Sequence, residues 1–368
     1  MRFVKTENLV KGMRLAKPIY NKNGVLLYDR DTKLTKQGIN SIKNFDIIGI
    51  FILEPAEPLP PMTDEDIEFE RFQTMSIFGL REDLNTIIMG RKPVNIDNLV
   101  KIIMKNYCKK DKKVNFMQNI RSIEDCVYKH SLNVAIMSAM IAIRFKLTSM
   151  EIRQLVYAAL IHDIGKIMPG TWGILQNASN KKDGEIKSLQ KGINLLHDCE
   201  FIPPEVVEIL NDSLKIMMKP ALGVTKGEVS LSAKILQISD VYDDLTAMKL
   251  DEEPTSDVVA IRTLINEDNK YSKTVVSTLV DSIKILYPGV CVELTNGFTG
   301  LVVKVNEKNV LRPMVLCFRD NNLYNLADNY VYDKIQIKDI MKTMDNRIKV
   351  DQNTVCLLYT SDAADEED

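Results

Sequence analysis

Four side chains in this sequence are of the types that hold a catalytic metal, and they come in recognisable strings. His162-Asp163 sits in Leu160-Ile161-His162-Asp163-Ile164-Gly165-Lys166. His130 lies upstream in Lys129-His130-Ser131-Leu132-Asn133-Val134-Ala135, and Asp240 downstream in Ile238-Ser239-Asp240-Val241-Tyr242-Asp243-Asp244-Leu245-Thr246-Ala247. Two imidazoles and two carboxylates suit one divalent transition metal such as Fe, Mn or Zn. A metal held in this way acidifies a bound water and polarises a phosphoryl oxygen. Two of the chain's three histidines fall in this set. The second His-Asp doublet, His197-Asp198, lacks such a setting and reads as bland.

The flanking residues show what must position these groups. Leu155, Ala159 and His162 recur at helical spacing, as do His130, Val134, Met137 and Ile141, so each histidine is expected on the inward face of a helix. A buried histidine needs a partner; the plain alternative to a metal is two satisfied core histidines. Lys166, four residues after His162, is expected on the same helical face, where it can meet a substrate phosphate as a point charge or simply cap a helix C-terminus in solvent. Asp163 and Lys166 are the candidate catalytic pair. Trp172, the only tryptophan, lies in a Gly/Asn/Ser/Lys-rich segment, 169–184. It could stack on a guanine or anchor the loop by packing.

These strings resemble the signature of the HD phosphohydrolase superfamily, and within it the HD-GYP proteins, bacterial enzymes that hydrolyse cyclic di-GMP. The resemblance extends from Met13-Arg14-Leu15-Ala16-Lys17-Pro18-Ile19 through the helical core to Tyr287-Pro288 and Leu311-Arg312-Pro313. It implies a mainly α fold: an all-helical HD-type core with small β-rich modules at the N-terminus and C-terminus. It also implies a metal-dependent phosphodiesterase, a cyclic dinucleotide as ligand, and signalling proteins such as diguanylate cyclases, or a second copy of the chain, as partners.

The sequence departs from that pattern at defined places. With Gly192, Phe201 and Pro203 as anchors, the family's next metal histidine falls near Ser188, and its adjacent histidine pair near Ser213-Leu214. The Gly-Tyr-Pro motif falls near Met218-Lys219-Pro220, which leaves Lys219 as a candidate phosphate contact. Serine and leucine do not replace a neutral imidazole. The retained set therefore predicts one metal, and weak or absent turnover. Replacement ligands, if present, are to be sought among Asp198, Glu200 and Asp212. Three readings stay open: a cyclic di-GMP phosphodiesterase, an inactive binding or interaction regulator, and a mononuclear phosphohydrolase acting on another nucleotide.

Composition bounds the rest. The chain has 368 residues, is 45% hydrophobic and 27% charged, and carries a formal net charge of −2. It reads as globular, with two or three domains, and offers no general basic surface for DNA. The six cysteines contain no Cys-x-x-Cys pair; they are expected to be reduced, which fits a cytoplasmic protein. No run approaches 18 consecutive apolar residues, so no membrane span is expected, and the N-terminus shows no secretory signal.

Residues 1–53 read as a small β-rich module, with Asn21-Lys22-Asn23-Gly24 as a hairpin turn and a short helix near Lys36 to Asn44. Residues 54–62 form a stiff Pro-rich linker, and 63–114 a helical connector broken at Gly90-Arg91-Lys92-Pro93. The helical core is expected over 115–285 and a small antiparallel β module over 286–340. Residues 356–368 read as a non-native tail, the translation of a sequencing adapter. Without it the acidic count drops from 50 to 45 against 48 basic residues, and the net charge becomes +3.

Overall fold

The computed structural model describes residues 2–20, 25–30, 32–45, 47, 49–53, 62–116, 125–171, 180–218, 229–247, 255–267 and 270–341. The hairpin turn at 21–24, most of the Pro-rich linker, Trp172, Lys219, Pro220 and the tail lie outside these residues.

The N-terminal segment contains β1 (Arg2–Lys5), β2 (Ile19–Tyr20), β3 (Leu26–Tyr28), α1 (Lys36–Asn44) and β4 (Gly49–Ile52). β1 pairs antiparallel with β4, and β2 with β3. Its apolar side chains, among them Leu15, Leu34, Ile42 and Ile50, form their own cluster.

Two long helices follow: α2 (Asp64–Ile88) and α3 (Ile96–Tyr107). A capping box starts α2, since Thr63 accepts from Asp66 N–H and Asp66 accepts from Thr63 N–H. Gly90, at φ +70°, ends it, in the left-handed region that favours glycine. Asp83 then accepts from the backbone N–H groups of Val94 and Asn95, which satisfies donors at the start of α3.

The centre of the molecule is α4 (Cys126–Arg144), buried without interruption from Tyr128 to Ala142. Around it pack α2, α3, α5 (Ser149–Ile161), α9 (Leu231–Thr246) and α11 (Lys273–Ser282). A second capping box, Thr148 with Glu151, starts α5. The chain breaks at His162-Asp163 and resumes as the single turn α6 (Ile164–Ile167). Then come α7 (Lys181–His197), α8 (Pro204–Met218) and, beyond α9, α10 (Asp257–Asn266). Although no run of 18 consecutive apolar residues occurs, helix α4 is long and apolar enough on average to cross a bilayer by length and composition; 83% of its apolar window is buried inside the bundle. Its apolarity is met by burial among neighbouring helices.

The C-terminal sheet contains β5 (Cys291–Leu294), β6 (Thr299–Lys304), β7 (Met314–Cys317), β8 (Leu323–Asn325) and β9 (Ile337–Ile340) in the order β8-β7-β6-β5-β9. The first four strands form the expected meander. The fifth returns beside β5 after the short α12 (Asn329–Tyr332). Arg262 on α10 donates to the carbonyls of Ile337 and Lys338, tying the sheet to the helices. Val290, Val292, Leu294 and Val302 share one apolar core with the helices, including α2 and α3. The fold is thus mainly helical with small antiparallel sheets towards both ends. None of the five described cysteines forms a disulfide.

Candidate metal centre

Three elements bring the four predicted side chains together. His130 comes from the first half of α4, Asp240 from the second half of α9, and His162 and Asp163 from the break between α5 and α6. His130 Nε2 lies 3.0 Å from Asp240 Oδ1 and 3.5 Å from Asp163 Oδ2. His162 Nε2 lies 3.6 Å from Asp163 Oδ1 and 3.7 Å from Asp240 Oδ1. The imidazole centroids are 5.2 Å apart. One donor atom each from His130, His162 and Asp240 falls within 4.8 Å of the others. Both histidines and Asp163 are buried.

The protonation pattern fits a cation. His162 Nδ1 is 2.8 Å from the carbonyl oxygen of Ala159. A carbonyl only accepts, so the proton is on Nδ1 and the lone pair of Nε2 points into the site. That Nε2 is buried without a hydrogen-bond partner, an arrangement that calls for an explanation. His130 Nδ1 lies 2.7 Å from Asp243 Oδ2, which likewise leaves its Nε2 facing the acidic residues. Burial alone would lower the His130 pKa, but hydrogen bonds to Asp240 and Asp243 and the charges of Asp243 and Asp163 push it up to about 10. The site demands positive charge, and a divalent ion between the donors would supply it. Burial disfavours the charged forms of Asp163 and Asp240, yet the Lys166 ammonium beside Asp163 and the His130 hydrogen bond to Asp240 help hold both below the usual carboxylate range.

Lys166 differs from its sequence reading. The helix breaks after Ile161, so Lys166 does not continue the face of His162. Its ammonium lies 2.7 Å from Asp163 Oδ2, within the turn that Asp163 opens. Two helices approach closely beside this break. A Cβ on Gly165 would stand 1.9 Å from the backbone oxygen of Ser188, so α7 crosses α6 where only glycine fits.

The positions at which the resemblance puts the further ligands carry no imidazole among the described residues. Ser188 is buried and its Oγ has no partner. Ser213 Oγ donates to the Ile209 carbonyl of its own helix, and Leu214 is in the core. His197 and Asp198 have side chains 79% and 85% exposed, and Glu200 is exposed. Asp212 accepts from Ser230 N–H and pairs with Lys215 at the N-terminal end of α9. Asp240 is nearly three helical turns further along. Sequence reasoning overlooked Asp243, although it lies three residues from Asp240 on the same face of α9. It also overlooked Glu185, half-buried on α7 one turn before Ser188. Burial pushes the Glu185 carboxyl up, Lys166 opposes that, and Asp244, with a smaller effect from Asp240, adds to it.

A buried His/Asp cluster at the centre of a helical bundle is a donor set able to hold a metal ion, and the chain can be compared with known proteins on that basis. Residues 127–245 match the HD domain family. The match contains all four cluster residues. Cyclic di-GMP phosphodiesterase PA4108 of Pseudomonas aeruginosa is 25% identical over 207 residues, which are 54% of this chain and 49% of that protein. The chain thus spans about half the length of this curated relative. Among solved structures, Bd1817, an HDG"Y"P protein from Bdellovibrio bacteriovorus, aligns with 13% identity and a TM-score of 0.45, covering 76% of this chain and 98% of that one.

Proposed function

We propose that this protein is an HD-GYP-type signalling protein that binds cyclic di-GMP and hydrolyses it slowly at a centre of one divalent Fe, Mn or Zn ion. The observation that carries the reading is the convergence of His130, His162, Asp163 and Asp240 around the unpartnered Nε2 of His162. The distant similarity to a cyclic di-GMP phosphodiesterase supplies the substrate class.

His130, His162, Asp163 and Asp240 would hold the ion, which when bound supplies an acidified water and polarises a phosphoryl oxygen. The residues around it prepare the site. Asp243 and the Ala159 carbonyl fix the two imidazoles with Nε2 inward. Asp163 holds Lys166 in place, and although burial disfavours its charge, the carboxylates of Asp163 and Asp240 outweigh that and keep its ammonium charged. From there Lys166, with its side chain 30% exposed, can meet a non-bridging phosphate oxygen. Hydrolysis adds the water oxygen to phosphorus, breaks one P–O ester bond and delivers a proton to the leaving oxygen. Ser188, Ser213 and Leu214 offer nothing to bind a second ion beside that oxygen. Losing a contribution of about 4 kcal/mol there slows the reaction roughly a thousandfold.

The same three residues favour a second reading, a regulator that binds the dinucleotide without turnover. The test is hydrolysis of cyclic di-GMP by Mn-loaded and Fe-loaded protein, with binding measured alongside. Slow turnover that Asp163→Ala removes supports the first reading. Binding with no turnover supports the second. Several turnovers per second would contradict the single-metal account.

A further inference from the structure

The hydrogen-bond chain that holds His130 does not end within the residues that match the HD domain family. Asp243 meets His130 Nδ1 through Oδ2, and its Oδ1 accepts from Asn133 Nδ2 at 2.7 Å. Asn133 Oδ1 in turn accepts from Gln73 Nε2. Gln73 is on α2, outside residues 127–245, and Gln73, Asn133 and Asp243 are all buried, at 2%, 3% and 1% exposure. One turn earlier on α2, buried Glu70 pairs with Lys17 of the N-terminal segment at 3.5 Å.

The direction of each bond matters. An asparagine amide has one accepting end and one donating end. Because Gln73 donates to its carbonyl, Asn133 must turn its NH2 towards Asp243. Asp243 is then held at both oxygens, and His130 keeps its proton on Nδ1 and its Nε2 towards the site. Without the Gln73 donor the buried Asn133 carbonyl loses this partner, and the amide that aims Asp243 is held less firmly.

We propose that Gln73 is a positioning residue of the metal centre, acting through Asn133 and Asp243 on His130. It makes α2, pinned to the N-terminal segment by Lys17 and Glu70, the element through which that segment reaches the site. The proposal rests on reading His130 as a metal ligand. Removal of an outer hydrogen-bonding partner of a metal ligand weakens affinity by roughly 10–100-fold.

The test is Mn²⁺ affinity of the full chain at one pH, measured by calorimetry. Gln73→Met keeps the side-chain length and removes the donor; about tenfold weaker binding is expected, the lower end of that range. Gln73→Glu, which cannot donate when ionised, should weaken it at least as much. Ile77→Ala serves as the control for general loosening, because Ile77 is buried on the same helix without a place in the chain of bonds; its melting temperature should fall while its Mn²⁺ affinity stays within twofold of the parent. His130→Ala must abolish binding, and if it does not, the ligand reading itself fails. If His130→Ala abolishes binding while Gln73→Met binds like the parent, or if Ile77→Ala weakens binding as much as Gln73→Met, the positioning role is wrong.

Discussion

The two sides of the candidate site are built differently. On the side of α4, α5 and α9, every imidazole has its Nδ1 fixed and its Nε2 turned inward, and each fixing group is itself buried or backbone. On the side of α7 and α8, the corresponding positions are a serine with no partner, a serine bonded to its own helix, and a leucine in the core. The two His-Asp doublets repeat the contrast. His162-Asp163 is buried at a helix break beside His130 and Asp240, while His197-Asp198 ends α7 in solvent. Dipeptide identity decides nothing here. What decides is whether the surrounding helices supply second contacts that hold the donor atoms in place.

The largest expected effect breaks the built side. His162→Ala or Asp163→Ala should leave no retained metal after dialysis, whereas His197→Ala and Asp198→Ala should retain it like the parent; elemental analysis checks both. Next comes the helix crossing that joins the two sides. Gly165→Ala places a methyl group against the Ser188 carbonyl. It should cost about 3 kcal/mol, the upper end for overpacking, seen as a lower urea midpoint.

A third effect is on pH. His130 is protonated when no ion is bound, with its pKa raised from 6.5 to about 10 by Asp240 and Asp243 against the opposing effect of burial. A metal must displace that proton, so Mn²⁺ affinity should rise by roughly tenfold per pH unit between pH 6 and 8. The same shift makes the metal-free protein more stable below pH 6.5, and that stability should be lost as pH rises towards 10. A flat affinity profile would place the proton elsewhere. The smallest effects probe the unbuilt side. Ser188→Ala removes a hydroxyl with no partner and should change Mn²⁺ affinity by less than twofold. Glu185→Gln should change it only a few-fold, through loss of a nearby charge; a loss as large as that of Asp163→Ala would make Glu185 a ligand.

Much of the built side was legible in sequence, because metal ligands of fixed type come in short strings and helical periodicity says which way they face. The connector broken near Gly90 and the C-terminal meander follow equally local signals. What stayed hidden depends on contacts between distant segments. The close approach of Ser188 to Gly165 beside the helix break joins segments far apart in sequence, and no pattern within residues 155–167 announces it. The roles of Asp243 and Gln73 likewise require α2, α4 and α9 to be placed together. Lys166 was assigned to the face of His162 because an unbroken helix was assumed, and the break moves it onto Asp163.

The account stands on a centre with one built side and therefore one ion. The most direct measurement is metal content per chain after loading the purified protein with Mn²⁺ or Fe²⁺ under anaerobic conditions and removing the excess, with Asp163→Ala in parallel. One ion per chain in the parent and none in the variant is the expected result; two or more ions per chain would contradict it.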